Sequence, residues 1–556
     1  MTNLTLLYNK SNGYGIARDV QGIVKALSST NIQISHKDPL EPPVPCSIAV
    51  HLEVPVYTWM PWASINILIV NPEWFEEAWK PYMKHFQYIV YKDPISASDA
   101  IKLGYVTKEQ IRVVPWGASK PNTVESKKKG TVDTGFVWFL GGSRNKRAYV
   151  PKLVSMWREE YPPLRIYAVE PLDISGGSNV RLEVVDLDST TRAGLASFFR
   201  GHIGCSAAEG FSYVAAEAEW QGAFTILNKL NCFVSDYTGK EGVYLIDETQ
   251  EDLDAAIRAF ENADLDAIAN KRIASANERY ESFIKDIGKL LSELPSKPKE
   301  QLPPVLHPSE CPRISVVTLM YNRRRFFDLA CHNILQTDYP IDKIEWIIVE
   351  DSDDPMEDAS DLITAQANKS NSVLIRYIPL KKKTPVATKR NIGVEKASND
   401  IILMMDDDDH YPVTSFRRRV SWLLKHSWKP KAVAATTIAC YDLVKGISAV
   451  NAPPMQLPLG QRISEATLTF YKSWWEECKF PDAIQVGEGE GFIHGREQDV
   501  IEVPPQQIIV AFSHGKNTSS RRIPSNDEVE PGCFWGFPRE YLIFVHKLAG
   551  IQIVEK

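Results

Sequence analysis

Four consecutive aspartates, Asp406 to Asp409, follow directly on the apolar run Ile401-Ile402-Leu403-Met404-Met405. A short apolar stretch bounded by polar residues reads as a strand buried on both faces, as in a parallel sheet. Carboxylates crowded at its carboxyl end repel one another unless a cation sits among them. That edge is also where open α/β sheets bind their ligands. The run therefore implies a parallel α/β fold with a site for a hard, oxygen-seeking cation, Mn2+ or Mg2+, of the kind that works on phosphates. The alternative is a solvated acidic turn, which is how most acidic runs behave.

At 556 residues the chain exceeds what one core can hold, and about three to four domain-sized units are expected. A formal charge of −7 gives no global attraction to nucleic acid or membrane. No run approaches the roughly 18 apolar residues of a transmembrane helix, and the start Met1-Thr2-Asn3-Leu4-Thr5 has no basic or long apolar leader. The eight cysteines are scattered without a Cys-x-x-Cys pair, which argues against structural zinc and a disulfide framework. These features together suggest a soluble protein of a reducing, cytoplasmic compartment.

Residues 292–312 carry six prolines and suit an extended connector. They follow a helical tract from about Asp252 to Leu294, and a new strand opens at Ile314. The expected organisation is a first half, 1–291, with lobes at about 1–125 and 126–291, then the linker and a second half, 313–556. Each half alternates short β-branched runs with helical segments, the pattern of parallel α/β folds. Expected strands include Leu4–Tyr8, Ser47–His51, Asn66–Val70, Tyr88–Tyr91, Arg112–Val114, Phe136–Leu140, Leu164–Ala168 and His202–Cys205. In the second half they include Ile314–Met320, Glu345–Val349, Val373–Tyr377, Ile401–Met405 and Ala432–Thr436.

In the first half, Gly13 and Gly15 follow the opening strand and precede a helix, so backbone amides there can approach a phosphate or sugar. A second glycine turn, Gly141-Gly142, is followed by Arg144, Lys146 and Arg147, either a diphosphate clamp or a basic surface turn. A third element, Glu209-Gly-Phe-Ser-Tyr-Val-Ala-Ala-Glu217, offers two carboxylates that can accept hydrogen bonds from sugar hydroxyls. In this order, and with Val114-Pro115-Trp116-Gly117, the segment resembles the retaining glycosyltransferases of the GT-B fold, family 4, over about residues 1–290. That resemblance implies that Arg144 and Lys146 hold the donor diphosphate, Glu209 contacts the donor sugar and Glu217 the ribose. His51 and Glu73, at strand ends, are further candidates for an acceptor, or else buried structural residues.

In the second half, Glu350-Asp351 closes a strand, and Lys389-Arg390-Asn391-Ile392-Gly393 begins a helix whose cations could meet diphosphate or base. With the aspartate run, this series resembles the family 2 glycosyltransferases of the GT-A fold across about residues 312–520. The resemblance implies that Glu350 or Asp351 contacts the nucleotide base, that Asp406 or Asp407 faces the ribose, and that Asp408 holds the metal. His514, at the end of an apolar run, matches a metal-ligating histidine of that family. Downstream, Gly487-Glu488-Gly489-Glu490 departs from the Glu-Asp usual there, because Gly489 stands for the aspartate, so the acceptor base is left between Glu488 and Glu490.

The resulting expectation is an α/β chain in which a GT-B pair of Rossmann-like lobes precedes a GT-A domain. It would use nucleotide-sugar donors and a glycan or glycoconjugate acceptor at two sites, the second metal-dependent and inverting, the first retaining. One alternative keeps only the GT-A half active, with a non-catalytic acceptor-binding module before it. Another, resting on the basic triplets at 127–129, 323–325, 381–383 and 417–419, is a glycosyltransferase acting on modified DNA.

Overall fold

Parallel strands form where apolar runs are covered on both faces, and among the described residues two of the four sheets are wholly parallel. The computed structural model describes residues 2–13, 15–122, 133–174, 176–294, 301–369, 373–515, 517, 523–525 and 527–552. The first sheet orders its strands Gln33–Lys37, Asn3–Leu7, Cys46–Leu52, Ala63–Ile69, Tyr88–Tyr91 and Ile111–Val113, all parallel. Its central strands are almost wholly buried; in Ala63–Ile69 every residue but Ser64 is.

The second sheet runs Val243–Ile246, Phe224–Asn228, Phe199–Ile203, Asp133–Gly141, Leu164–Ala168 and Val180–Val184, again all parallel. From its Val180–Val184 edge this is the 3-2-1-4-5-6 order of a doubly wound nucleotide fold. The N-terminal half is thus a pair of Rossmann-like lobes, as expected of a GT-B arrangement. The tract from Asp252 is two helices, Gln250–Glu261 and Leu265–Ser292, because Asp264 caps the second by accepting from the Ala267 N–H at 3.0 Å. That long helix returns along the Gly15–Leu27 helix of the first lobe. Glycines set the approach: a Cβ on Gly22 would lie 2.7 Å from the Phe283 ring, and one on Gly288 2.9 Å from the Ala26 carbonyl oxygen.

The third sheet is mixed. Leu374–Pro379, Ile344–Glu350, Ile314–Met320 and Ile401–Met404 are parallel, then Thr469–Tyr471 runs antiparallel, followed by Ala432–Ala434 and Val500–Glu502. The strand before the aspartates is buried throughout, but it has one parallel and one antiparallel neighbour rather than two parallel ones. A smaller sheet of Ile447–Asn451, Ile438–Asp442 and Val510–Ser513 stands beside it, and a bridge from His410 to Val510 brings it to the end of the aspartate run. The expected strands are found. Gln33–Lys37, Val180–Val184, Phe224–Asn228 and Val243–Ile246 are additional. The basic triplet at 127–129, at the start of the expected second lobe, lies outside the described residues.

The halves share buried surface. Tyr57, Trp79, Tyr82 and Met83 of the first lobe belong to one apolar cluster with Met404, Phe470, Trp474 and Phe492. At its centre Arg462 donates to both oxygens of Glu502, at 2.9 and 3.1 Å, and its guanidinium lies 4.5 Å from the centre of the Tyr57 ring. The Tyr82 hydroxyl donates to Glu502 Oε1 at 3.0 Å, and Thr436 Oγ1 to Oε2 at 2.9 Å. Tyr57 stacks on Tyr82 at 3.8 Å, the Trp79 indole N–H reaches the Met455 carbonyl at 3.0 Å, and His85 stacks on Trp428 at 4.0 Å. Arg462→Met strips a buried carboxylate of its bidentate partner, so it is expected to lower stability by about 3–5 kcal/mol, against about 1 kcal/mol for Tyr82→Phe. Urea denaturation of the full chain measures both; equal midpoints for wild type and Arg462→Met would exclude this cluster as a structural anchor.

Candidate active site

The carboxyl edge of the third sheet gathers the charges of the C-terminal half. One carboxylate oxygen each from Asp406, Asp408 and Asp409 lies within 4.8 Å of the others. Three oxygens of this kind fit a hard divalent cation, Mn2+ or Mg2+. Arg323, in the turn after Ile314–Met320, places Nη1 3.0 Å from Asp407 Oδ1 and 2.7 Å from Asp408 Oδ2. His514 Nε2 lies 3.0 Å from the same Asp408 oxygen, to which Asn517 Nδ2 also donates at 3.4 Å. Asp409 is fully buried and accepts the Phe512 N–H at 2.9 Å, so its carboxylate ties the run to the Val510–Ser513 strand. Asp407 turns to Arg323; burial raises its carboxyl above the usual carboxylate range, Arg323 opposing. The structure thus brings Asp406, Asp408 and His514 together as expected residues, sets Asp407 apart from the converging oxygens, and adds Asp409, Arg323 and Asn517.

At the end of the neighbouring strand Ile344–Glu350, Asp351 accepts from Lys389 Nζ at 2.6 Å and from the Thr384 N–H at 2.7 Å. Glu350 is buried and engaged by Ser352 Oγ, the Ala359 N–H and the Tyr377 hydroxyl, at 2.8, 3.0 and 2.9 Å. Both carboxylates are buried and engaged at both oxygens, Glu350 by the sheet edge and Asp351 by Lys389 and the Thr384 N–H. Buried Arg390 donates through Nε to Glu488 Oε1 at 2.6 Å, and its Nη2 lies 4.0 Å from Asp406 Oδ1. Its Nη1 has no hydrogen-bond partner among the described residues. Glu488 starts the helix Glu488–Ile493 after Gly487, whose φ of 74° is in the left-handed region. Glu490, by contrast, is exposed and accepts from Gln461 Nε2 at 2.7 Å.

The N-terminal lobes face each other across a second polar cluster. Lys146, buried in the helix Arg144–Met156, reaches Glu209 Oε2 at 3.3 Å, while Arg144 at the helix start is exposed. Glu217 is paired with Arg192 Nη2 at 2.8 Å and, across the cleft, with Arg18 Nη1 at 2.5 Å. The Tyr213 hydroxyl donates to Asp19, which also binds Lys92 at 3.1 Å and the Trp116 indole N–H at 2.7 Å. A Cβ on Gly15 would sit in ordinary contact with the Tyr213 ring, at 3.6 Å, and Gly13 is exposed with open space about it. Glu73 faces the Glu209-Gly210 loop, a Cβ on Gly210 falling 3.0 Å from Glu73 Oε2. Burial, and then the Glu209 carboxylate, push Glu73 up to about 7. His51 does not face the cleft: its Nδ1 accepts the Val56 N–H at 3.0 Å, so Nε2 carries the hydrogen and donates to Asn66 Oδ1 at 3.0 Å. Burial pushes that ring down to about 4.

Several arginines of the described basic triplets are paired within the protein. Arg323 serves the aspartates, Arg324 pairs with Asp361, Arg417 with Asp338, and Arg419 is fully buried on the Met404 and Leu468 carbonyls. Lys381 to Lys383 are exposed.

Residues 315–443 match the family described as Glycosyl transferase family 2. Over 116 residues, 21% of this chain, the sequence is 27% identical to a putative teichuronic acid biosynthesis glycosyltransferase, TuaG, of Bacillus subtilis (strain 168). The match covers 44% of that protein, so the chain spans less than half the length of this curated relative. Among solved structures, the mannosyltransferase PcManGT from Pyrobaculum calidifontis, in complex with GDP-Man and Mn2+, aligns at 17% identity and a TM-score of 0.30, covering 40% of this chain and 62% of that one. Sucrose-phosphate synthase from Thermosynechococcus elongatus aligns at 14% identity and a TM-score of 0.41, covering 53% of this chain and 98% of that one. Among the described residues no helix is long and apolar enough to cross a membrane.

Because the folded Glu73 holds its proton more tightly than the ordinary carboxyl at 4.5, the stability it contributes is full below that pH and is lost as pH rises through about 7. Glu73→Gln is therefore expected to match wild type near pH 4.5 and to exceed it by about 3 kcal/mol at pH 8. Urea denaturation at the two pH values checks this, and a difference that does not grow with pH would contradict it.

Proposed function

We propose that the C-terminal half transfers a sugar from a nucleotide-sugar donor to a hydroxyl of a glycan or glycoconjugate, with Mn2+ or Mg2+ held by Asp406, Asp408 and Asp409 and with His514 against Asp408. The observation that carries this reading is the convergence of those carboxylate oxygens, within 4.8 Å, inside the segment that matches family 2. When bound, the cation would neutralise the charge that develops on the leaving nucleoside diphosphate. Asp351 and Lys389 orient the nucleotide, and the unpartnered Nη1 of Arg390 is a further donor for the diphosphate beside Asp406. Direct displacement at the anomeric carbon by an acceptor held opposite the diphosphate inverts its configuration.

The N-terminal half, on this proposal, carries a second nucleotide-sugar site in the cleft between its lobes, where Lys146 meets Glu209 and Glu217 meets Arg18 and Arg192, and transfers with retention. Lys146 and Arg144 would hold its diphosphate and Glu209 the donor sugar. Joining the two sites at residues 292–312 raises the concentration of one site's product near the other. One observation favours a second reading, in which these lobes bind a glycan without transferring: the Glu217 carboxylate is already engaged by both Arg18 and Arg192.

Release of nucleoside diphosphate from a panel of UDP- and GDP-sugars by the full chain, with and without manganese, tests the proposal. Asp408→Ala should cut a manganese-dependent activity about 100-fold or more while sparing a second one, and Glu209→Ala should do the reverse. Loss of both activities in either variant would rule out independent sites. A single activity, insensitive to Glu209→Ala, would establish the binding-module reading.

A further inference from the structure

Two glutamates, Glu488 and Glu465, stand near Arg390, with Glu490 two residues beyond Glu488, and the structure distinguishes the three. Glu488 is buried and held by the Arg390 guanidinium at 2.6 Å, its charge committed to that pair. Glu490 is exposed on the far side of its helix, where its backbone packs on Gly460: a Cβ there would meet Glu490 Cα at 2.7 Å. The third, Glu465, lies in the short turn Glu465–Thr467, 23 residues upstream of Glu488 and outside any motif of the sequence. Its Oε1 accepts the Gly489 N–H at 3.1 Å, and a Cβ built on Gly489 would lie 2.8 Å from that same oxygen. A Cβ there would also meet Ile463 Cδ1 at 2.6 Å, so a side chain at 489 requires the ends of both neighbours to shift.

We infer that Glu465 is the general base of the C-terminal site, its carboxylate standing in the space that Gly489 leaves open. The inference rests on the transfer proposed above and supplies the group that activates the acceptor. Its placement follows from two links to the aspartate run. The Tyr411 hydroxyl accepts the Asp406 N–H at 2.8 Å and donates to the Ala466 carbonyl at 3.1 Å, so the residue after Glu465 is tied to the residue that opens the run. Arg390 sits among Glu488, Asp406 and Glu465, which are its principal charged neighbours. Unlike Glu488, Glu465 is only partly buried and carries no ion pair among the described residues. Burial, and then the Glu488 charge, push Glu465 up to about 7, the range in which a base is both ionised and able to take a proton. In the step, a Glu465 oxygen takes the proton of the acceptor hydroxyl, whose oxygen bonds to the anomeric carbon. The bond from that carbon to the diphosphate oxygen breaks, its electron pair leaving with the nucleoside diphosphate, and the proton passes afterwards from Glu465 to solvent.

The test uses the full chain with manganese and the panel of UDP- and GDP-sugars, with water as acceptor and diphosphate release as readout. Glu465→Gln should lose about 100-fold or more in kcat. Binding of UDP or GDP with manganese, measured by calorimetry, should change less than about 2-fold, since the base does not bind the nucleotide. The rise of wild-type kcat/KM with pH through about 7 should vanish in the variant. Glu465→Ala loses the same activity, and Glu465→Ala/Gly489→Asp should restore it to within about 10-fold of wild type, because the vacated space then accepts an aspartate carboxylate. A merely structural Glu465 would leave the pH limb in place and give no such rescue. Retention by Glu465→Gln of more than about a tenth of the wild-type rate overturns the inference. Should Glu465→Gln fail to fold, an inactive double variant overturns it and an active one supports it. No manganese-dependent release by wild type would instead overturn the transfer reading and this inference with it.

Discussion

Two unit charges about 4 Å apart in partly buried surroundings repel by about 4 kcal/mol, and Asp406 to Asp409 stack several such pairs at the end of a strand with no exposed face. Much of the C-terminal half is arranged to make that tolerable. Arg323 covers two of the carboxylates, the Phe512 N–H and the Asn333 amide draw Asp409 inward, and His514 and Asn517 attend Asp408. The small sheet that carries His514 is docked to the main one at this place, through His410 and Val510. The acidic run thus organises the packing of a second sheet and leaves three oxygens pointing at a common centre.

The same edge is coupled to the N-terminal half by short steps. Arg462, which holds Glu502 and Tyr82, ends the helix Leu459–Arg462; Gly460 in that helix is the point against which the Glu488–Ile493 helix packs. Glu465 lies three residues beyond Arg462. An aromatic contact from the first lobe therefore ends a few residues from the groups that surround Arg390. The proline-rich stretch at 292–312 is the covalent joint between the halves, but the buried cluster around Arg462 is what fixes their relation.

Much of the framework was legible in the sequence because it is local. Tyr88–Tyr91, Leu164–Ala168 and Ile314–Met320 appear at the expected bounds, since uninterrupted apolar runs announce strands buried on both faces. The edge strands Gln33–Lys37 and Val180–Val184 carry exposed polar positions and give no such signal. At the site, Asp408 and His514 could be found from their positions at strand ends. Arg323 and Glu465 could not, because each acquires its role through contacts with residues 84 and 24 positions away, respectively. Gly489 was the one local sign, since a missing side chain in an acidic stretch invites the question of what fills its place. Both Glu350 and Asp351 are taken up by contacts that no local pattern announces, and His51 shows the same effect in the first lobe.

The core shared between the halves also bears on how the chain is made. Tyr57, Trp79, Tyr82 and Met83 emerge early in synthesis, but Phe470, Trp474 and Phe492, which belong to the same cluster, and Glu502, which accepts from Tyr82, follow some four hundred residues later. At about 5–20 residues per second, the first lobe waits on the order of half a minute with that aromatic surface uncovered. Its folding is thus a two-stage affair in time, with the early lobe dependent on a late partner, and a chain that stopped before residue 470 would leave a sticky aromatic face permanently open to solvent.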